Sequence, residues 1–334
     1  MPPTPYHPRP VAAIFAPVLR VVRHPGSASA PRSNAVLALG NFDGLHKGHQ
    51  ALIGHAKNLA RDAGVPAAVL TFEPHPRTVF MPGGEAFRLT PFRVKKREIA
   101  ALGVDTLYVQ KFDREFANKS AESFVNDLLV NGIGVSHLVV GHDCTFGNRR
   151  RGTPEMLREA SAAHGFGLTV IEPVKAADAA VYSSTHIREF LKAGKPREAA
   201  AQLGRPWEID GRVRLGDQRG RTLGFPTANI LLGEYLRPLL GVYAVRVTGD
   251  GDDDPLDGRT MDGVCNIGMR PTVGGHRPRL EVNLFDFDGD LYGCHLRVSL
   301  IDFIRPERKF SGLDELKAHI AADAQTAREL LATG

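Results

Sequence analysis

A chain of 334 residues is longer than one ordinary domain, so two are expected. Its 43% hydrophobic and 24% charged residues can build real cores and exclude a largely disordered chain. The net charge of +5 and pI near 9.2 raise the question of a nucleic-acid partner. Residues 1–42, however, hold four arginines (Arg9, Arg20, Arg23 and Arg32) and no acid, so +5 less four leaves +1 on the rest of the chain. No domain-wide basic footprint exists, and no nucleic-acid partner is expected.

In chain order, an acid-poor N-terminal stretch comes first. Its apolar segment 11–19 and the cleavage-like Ala28-Ser29-Ala30 resemble a targeting segment. Pro17 and Arg20 interrupt the apolar stretch and only Arg9 precedes it, which favours a Pro-rich tail over residues 1–17. A first strand is expected near 18–22. Apolar runs of strand length follow at 35–41, 67–72, 105–110, 136–141 and 167–172. Helical patterns separate them at 49–63, 94–102, 120–131 and 153–164. Such alternation predicts βαβ units and a parallel sheet with helices on both faces. Two short helices are expected at 185–192 and 196–202.

After Gly204-Arg205-Pro206 the pattern changes. Strands at 207–215, 242–248, 263–267, 279–285 and 294–304 are punctuated by Gly and Pro, with no long helix between them. This predicts an antiparallel sheet or small closed barrel. The segment 249–258, with Asp252-Asp253-Asp254, reads as a hairpin loop rather than a calcium site, because EF-hand spacing does not follow. A last helix is expected at 313–331. No apolar run approaches the roughly 18 residues of a membrane span, so no membrane partner is expected. Cys144, Cys265 and Cys294 form no CxxC pair, which fits a reducing, cytoplasmic setting better than a disulfide scaffold or zinc site.

The first chemical motif is GNFDGLHKGH, residues 40–49, between the first long strand and its helix. Gly40, Gly44 and Gly48 let the backbone turn and approach a ligand. A helix N-terminus offers free N–H groups to phosphate, and His46 and His49 beside it can donate to phosphate oxygens as charge moves. The motif is neither the dinucleotide G-x-G-x-x-G nor a G-x-x-x-x-G-K-S/T loop. A metal shared by the two histidines is a rival reading that lacks a third ligand. Three further segments fall at the carboxyl ends of strands, where open α/β sheets bind ligands. These are TFEPHP (71–76, with His75), VGHDCTFGNRRRG (140–152, with Asp143) and YSSTHIREFLKAG (182–194). Ser183, Ser184 and Thr185 can cap a helix while Arg188 faces phosphate. Taken singly, His75 reads equally well as a turn residue and Ser-Ser-Thr as a plain cap.

The second motif, GRVRLGDQRGRTLGFPTANI (211–230), has four glycines before Pro226-Thr227-Ala228-Asn229. Gly216, Gly220 and Gly224 allow backbone amides to reach phosphate, followed by Phe225 and Pro226. Thr227 and Asn229 offer oxygen ligands suited to magnesium. Downstream lie GVCNIGMRPT (263–272, with Asn266 and Arg270), LEVNLFDFDGDLYG (280–293) and FIRPERKF (303–310). In the second of these Glu281 is a carboxylate in an apolar strand, its face shared with Asn283 and Phe285. An ion pair of Glu281 with Arg270 or Arg305 is the alternative to a catalytic role.

HxGH between first strand and first helix resembles the signature of the nucleotidyltransferase superfamily. With LGF-PTAN and the other segments, the chain resembles the bacterial bifunctional riboflavin kinase/FAD synthetase family over about residues 18–331. The resemblance implies α/β plus all-β architecture: a Rossmann-like nucleotidyltransferase domain with a parallel sheet, then a six-stranded antiparallel riboflavin-kinase barrel with a C-terminal helix. The expected divisions are 1–17, 18–204 and 205–334. It implies ATP, riboflavin, FMN and FAD as ligands, with Mg2+ accompanying ATP. The family's phosphate-binding histidines fall on His46 and His49. Its Ser-Ser-Thr-x-Ile-Arg stretch falls on Ser183, Ser184, Thr185, Ile187 and Arg188. Its nucleotide contact falls on Asp143, with Gly40, Asn41, Phe42, Asp43, Gly44, Gly48 and His75 in the same site. Its magnesium ligands fall on Thr227 and Asn229, and its catalytic glutamate on Glu281. Cys144-Thr145 departs from the family's Phe-Arg, a loss for which Arg149, Arg150 and Arg151 are placed to compensate. Two other readings explain less. A flavin carrier without turnover leaves HxGH and the magnesium motif unexplained. A nucleotidyltransferase for another phosphate substrate leaves PTAN and Glu281 unexplained. The oligomeric state is not encoded in any motif of the sequence.

Overall fold

The computed structural model of the chain describes residues 19–25, 33–174, 181–215, 224–251, 254–272 and 275–333. The tail expected over 1–17, Gly216, Gly220 and Asp252-Asp253 lie outside the described residues. Six parallel strands come first: β1 (Arg20–Arg23), β2 (Val36–Leu39), β3 (Ala67–Glu73), β4 (Thr106–Lys111), β5 (His137–Gly141) and β6 (Gly167–Ile171), in the order β1-β4-β3-β2-β5-β6. Strands β2 and β5 are apolar on both faces because helices cover both. One face packs on α1 (Lys47–Ala63) and α3 (Phe92–Ala101) through Leu52, Ile53 and Ile99. The other packs on the helix that starts at Ala121 and on α6 (Pro154–His164), through Phe124, Leu128, Leu129 and Leu157.

Between these lie short helices α2 (Pro76–Phe80) and α4 (Arg114–Ala117), which fell below the length that apolar periodicity reports. The helix expected at 120–131 begins as α5 (Ala121–Ser123) and continues as a π-helix over Phe124–Ile133. Gly134 ends it, its N–H donating to the Leu129 carbonyl at 3.0 Å. The chain moves from β2 to β3 on one side and reaches β5 on the other. The cleft above the carboxyl end of β2 is therefore the switch point of the sheet, where such folds bind ligands.

Two helices, α7 (Ser184–Lys192) and α8 (Pro196–Leu203), lead to the second sheet. Its antiparallel strands β7 (Trp207–Arg212), β8 (Ala228–Leu231), β9 (Gly241–Gly249), β10 (Thr260–Thr272), β11 (Gly275–Leu284) and β12 (His295–Pro306) run in the order β7-β12-β9-β10-β11-β8. An antiparallel bridge between Arg214 and Asn229 joins the two ends of that order, so the sheet curls into a nearly closed barrel that leaves little free edge. Strand β8 was not expected as a strand, because Pro226 and the polar residues around it mask its four-residue run. Helix α9 (Leu313–Ala332) covers one barrel face through Ala327 and Leu331, against Val242, Ala244, Val264 and Phe285. Among the described residues no helix is long and apolar enough to cross a membrane.

The barrel does not close its core alone but shares it with helices and a loop of the first part of the chain. Leu89, Val94, Ile187, Leu191, Ala199 and Leu203 join one buried cluster with Trp207, Ile209, Tyr235, Val245 and Val298 of the barrel. Charges surround this contact. Arg97 meets Glu208 and Asp210, Arg93 meets Asp210 and Asp250, Arg205 meets Glu98, and Arg197 meets Asp302. The chain's one tryptophan, Trp207, is 2% exposed and donates its indole N–H to the Leu89 carbonyl at 2.9 Å. Leu203→Ala should therefore cost about 2–5 kcal/mol. The denaturation curve followed by Trp207 fluorescence should move to lower denaturant. An unchanged midpoint would contradict a shared core.

Candidate active sites

Leu39 ends β2, and the following loop must turn tightly before α1. Of the three glycines in residues 40–49 only Gly44 takes a left-handed φ, +86°. Gly40 and Gly48 serve close approach rather than the turn: a Cβ would stand 3.0 Å from the Phe42 ring and 3.1 Å from the His46 ring. His46 caps α1, its Nδ1 accepting the His49 N–H at 3.4 Å. One free N–H of the helix start is thus already taken, and the proton of a neutral His46 ring belongs on Nε2. The His49 ring stacks on His46 with centroids 3.7 Å apart, edge-on to Phe42. Its Nδ1 is buried without a partner among the described residues.

A cleft of about 1290 Å³ opens here. It brings together His46, His49, Gly40, Asn41, Phe42, Asp43, Gly48, His75, Asp143, Ser183, Ser184, Thr185 and Arg188, four segments far apart in sequence. Gly44 shapes the loop without lining the cleft. Ser183 caps α7 by accepting from the Thr185 and His186 N–H groups, and Ser184 Oγ donates to the Asp43 carbonyl at 2.8 Å. His75 caps α2 and meets Phe87 edge-on. Arg149, Arg150 and Arg151 line the far wall, and Arg150 Nε donates to Thr145 Oγ1 at 2.9 Å. The threonine that departs from the family thus holds a neighbouring arginine.

Arg188 lines the cleft but is not free. It donates to Asp43 at 2.5 Å and to the Phe87 carbonyl at 3.0 Å. Asp43 is 2% exposed and also accepts from the Leu89 and Thr90 N–H groups. Behind it lie buried Arg88 and Lys95, both paired with Glu73. The sequence reading passed over Arg88, Lys95, Glu73 and Phe87. No motif marks them, and Arg88 and Lys95 are two of five cations in residues 87–99, so nothing in the sequence singles them out. Phe112 and Phe116, which line the cleft beside Phe72 and Phe124, were missed with the short helix α4.

Burial works against the Asp43 charge, but Arg188, Arg88 and the Thr90 N–H outweigh it and hold the carboxyl below its ordinary value. Burial, aided by the Arg188 charge, pushes His46 down to about 4. Burial first, then His46 and Lys95, holds His49 well below its ordinary value. Burial also pushes His75 down to about 4. At neutral pH the cleft therefore presents neutral imidazoles and fixed guanidinium charges.

The second constellation lies on the barrel. Glu281 of β11 stands directly opposite Asn229 of β8 on one side and Asn266 of β10 on the other. Directly opposed residues place their side chains on one face of a sheet, with Cβ atoms about 4.5–5.5 Å apart. Asn283, on the same face of β11, donates its amide to the Pro226 carbonyl at 2.7 Å and ties down the stretch from Gly224 and Phe225 to Thr227. Arg305, one of two suggested partners of Glu281, instead forms a two-pronged pair with Asp323 of α9 at 2.7–2.8 Å. The side chain of Arg270, the other, lies outside the described residues. Glu307 was passed over as well: a Cβ at Gly268 would collide with its carboxylate, close to Asn266.

The donor set suits a hard cation. A hydroxyl (Thr227) and a buried amide (Asn229) sit beside a carboxylate in register, all oxygen ligands. Asn229 Oδ1 accepts from Arg279 at 3.4 Å, a long bond that the guanidinium would have to release for a metal ion to take its place.

Two sites, one over a parallel sheet and one on a small barrel, define a bifunctional transferase of phosphorus groups. The family model described as FAD synthetase matches residues 28–186, and that described as riboflavin kinase matches residues 203–331. The chain is 43% identical over 302 residues to the bifunctional riboflavin kinase/FMN adenylyltransferase of Escherichia coli (strain K12), covering 90% of this chain and 94% of the relative. It is 40% identical over 301 residues to the protein of the same description from Bacillus subtilis (strain 168), covering 89% and 92%. A solved structure named as a macrolide-efflux protein from Streptococcus pneumoniae matches 93% of this chain and 99% of its own at 31% identity, with a TM-score of 0.81. The chain belongs to the bifunctional riboflavin kinase/FMN adenylyltransferase family. It phosphorylates riboflavin to FMN with ATP and then adenylylates FMN to FAD with release of pyrophosphate.

The depressed histidine sets a pH dependence. Between about pH 6.5 and 4 the unfolded chain protonates His46 while the folded chain does not, so this ring's contribution is complete above pH 6.5 and is lost as pH falls toward 4. The depressed carboxyls of Asp43 and Glu73 add a loss only lower, below their ordinary 3.8 and 4.5. Melting temperature of the ligand-free protein should fall from pH 6.5 to 4.5. His46→Asn, which keeps a capping oxygen, should make that fall shallower, with the depressed His49 and His75 keeping the remainder. An equally steep fall in the variant would contradict a buried neutral His46.

Proposed function

We propose that FMN adenylylation occupies the cleft of a first module, residues 18–204, and riboflavin phosphorylation the Thr227–Asn229–Glu281 face of a second, residues 205–334. The observation that carries this division is the register of Glu281 opposite Asn229, which brings a strand carboxylate beside the hydroxyl–amide pair. The two nucleophiles need different help. The 5′-hydroxyl of riboflavin is protonated at neutral pH. Glu281 accepts its proton as the oxygen attacks the γ-phosphorus of ATP and the bond to the β-phosphate oxygen breaks. Magnesium held by Thr227 and Asn229 would neutralise charge on the ATP phosphates. Asn266, and the turn at Gly224–Pro226, serve to seat ATP and flavin.

The phosphate of FMN is already anionic and needs no base to attack the α-phosphorus. Orientation and charge stabilisation suffice. The Nε2–H of His46 and the ring of His49, whose buried Nδ1 lacks a partner among the described residues, donate to phosphate oxygens. Arg188 supplies fixed positive charge, and Asp143 and Ser183–Thr185 seat the nucleotide. Support for this reading is that all of these groups line one cleft in which the carboxylate Asp43 is occupied by arginine. Free Cys144, Cys265 and Cys294 support a reducing, cytoplasmic location.

The division is tested by two substitutions assayed for both products. His49→Ala should lower FAD formation from added FMN by about 10²–10³ and spare FMN formation. Glu281→Gln should lower FMN formation by about 10²–10⁴ and spare FAD formation from added FMN. Parallel loss of both activities in either variant would contradict the assignment.

A further inference from the structure

Residues 87–90 lie between the two modules and are bonded on both edges. Toward the barrel, the Arg88 N–H donates to the Glu234 carbonyl (3.2 Å), the Arg88 carbonyl accepts from Leu236 (2.8 Å), and the Leu89 carbonyl accepts from the Trp207 indole (2.9 Å). Toward the cleft, the Leu89 and Thr90 N–H groups donate to the Asp43 carboxylate (3.1 and 3.0 Å), and Thr90 Oγ1 accepts from the Gly44 N–H (2.8 Å). Both acceptors that hold the Arg188 guanidinium therefore depend on this segment. One is the Phe87 carbonyl itself, and the other is Asp43, which the segment clamps.

Arg88 pins the segment. Its side chain is 2% exposed and does not line the cleft. Its fork donates to both carboxylate oxygens of Glu73 at the end of β3 (2.8 and 3.1 Å), to the Thr90 carbonyl (3.1 Å) and to Glu234 of the barrel (3.4 Å). Its Nε stands 3.7 Å from Asp43. A single planar cation thus spans the parallel sheet, the segment and the barrel, a geometry that lysine cannot reproduce.

We propose that Arg88 is a positioning residue for the FMN-to-FAD step: it fixes residues 87–90 against the barrel so that Asp43 and Phe87 hold Arg188 in place in the cleft. The inference rests on the reading that Arg188 serves adenylyl transfer. Arg88 never meets the substrates. Its effect passes through Arg188 and should vanish when Arg188 is gone.

The test is a double-mutant cycle in the full-length chain. FAD formation from FMN and ATP is the readout, and riboflavin phosphorylation on the same preparation is the measure of folded protein. Arg88→Lys should lower the adenylylation kcat about tenfold and change kinase turnover less than about twofold. In an Arg188→Met background, Arg88→Lys should add less than about twofold. A tenfold loss in both backgrounds, or no loss in either, would overturn the proposal and leave the role of Arg188 intact. If Arg188→Met alone leaves FAD formation unchanged, the reading of Arg188 fails and the proposal fails with it. Should Arg88→Lys lose both activities together through misfolding, the half-exposed Glu234→Ala decides. It should lower adenylylation about threefold with Arg188 present and not at all without it, and equal effects in both backgrounds would overturn the proposal.

Discussion

A carboxylate that is 2% exposed can remain charged only if donors surround it, and the arrangement around Asp43 follows from that requirement. Its oxygens take the N–H groups of Leu89 and Thr90 and the guanidinium of Arg188, with Arg88 close behind. The acid and its donors come from three parts of the chain: the loop after β2 carries the acid, the segment before α3 supplies the amides and Arg88, and α7 supplies Arg188. Meeting the electrostatic demand of one buried group therefore gathers the loop of His46 and His49 and the helix of Ser183–Arg188 at one place. The same network sets the electrostatics of the cleft. Burial first, with Arg188 beside His46 and Lys95 beside His49 adding to it, makes protonation of the adjacent imidazoles unfavourable, so those rings are neutral.

The two transfer chemistries share a chain, and they also share apolar burial. Helices α7 and α8 present Ile187, Leu191, Ala199 and Leu203 to the barrel rather than to the parallel sheet. Arginines of α3 meet acids of β7 and of the end of β9 around that contact. The barrel is accordingly part of what shapes the first cleft, and a change at the contact is felt on both sides. The constellation proposed for the kinase step is less exposed to such effects. Glu281, Asn229 and Asn266 are held by strand register within the barrel, and Asn283 fixes the preceding turn locally.

Much of this was legible from residue patterns. The alternation of apolar runs and helical periods gave the parallel sheet, because strands buried on both faces must read as continuous apolar runs. The placement of HxGH, TFEPHP, VGHD and SSTHIR after strands gave the cleft, because strand ends converge at the switch point of the sheet. What escaped was set by tertiary context. β8 is a four-residue strand recognisable only by its partner β11. Arg305, one of two alternative ion-pair partners offered for Glu281, pairs with Asp323, since helix α9 brings a carboxylate that spacing along the strands does not reveal. Arg88, Lys95 and Glu73 form a buried triad across β3, a loop and α3, and separations of 15 and 22 residues carry no periodic signal.

The central claim is that the charged Asp43 carboxylate organises the adenylyl-transfer cleft. Asp43→Asn keeps the shape, but it weakens the ionic hold on Arg188 and replaces one acceptor oxygen with a donor amide. Time courses of FMN and FAD formation from riboflavin and Mg-ATP, separated by chromatography, measure both steps in one reaction. The account predicts that this variant accumulates FMN at the wild-type rate while FAD formation falls by about 10²-fold. FAD formation at the wild-type rate in the folded variant would contradict it.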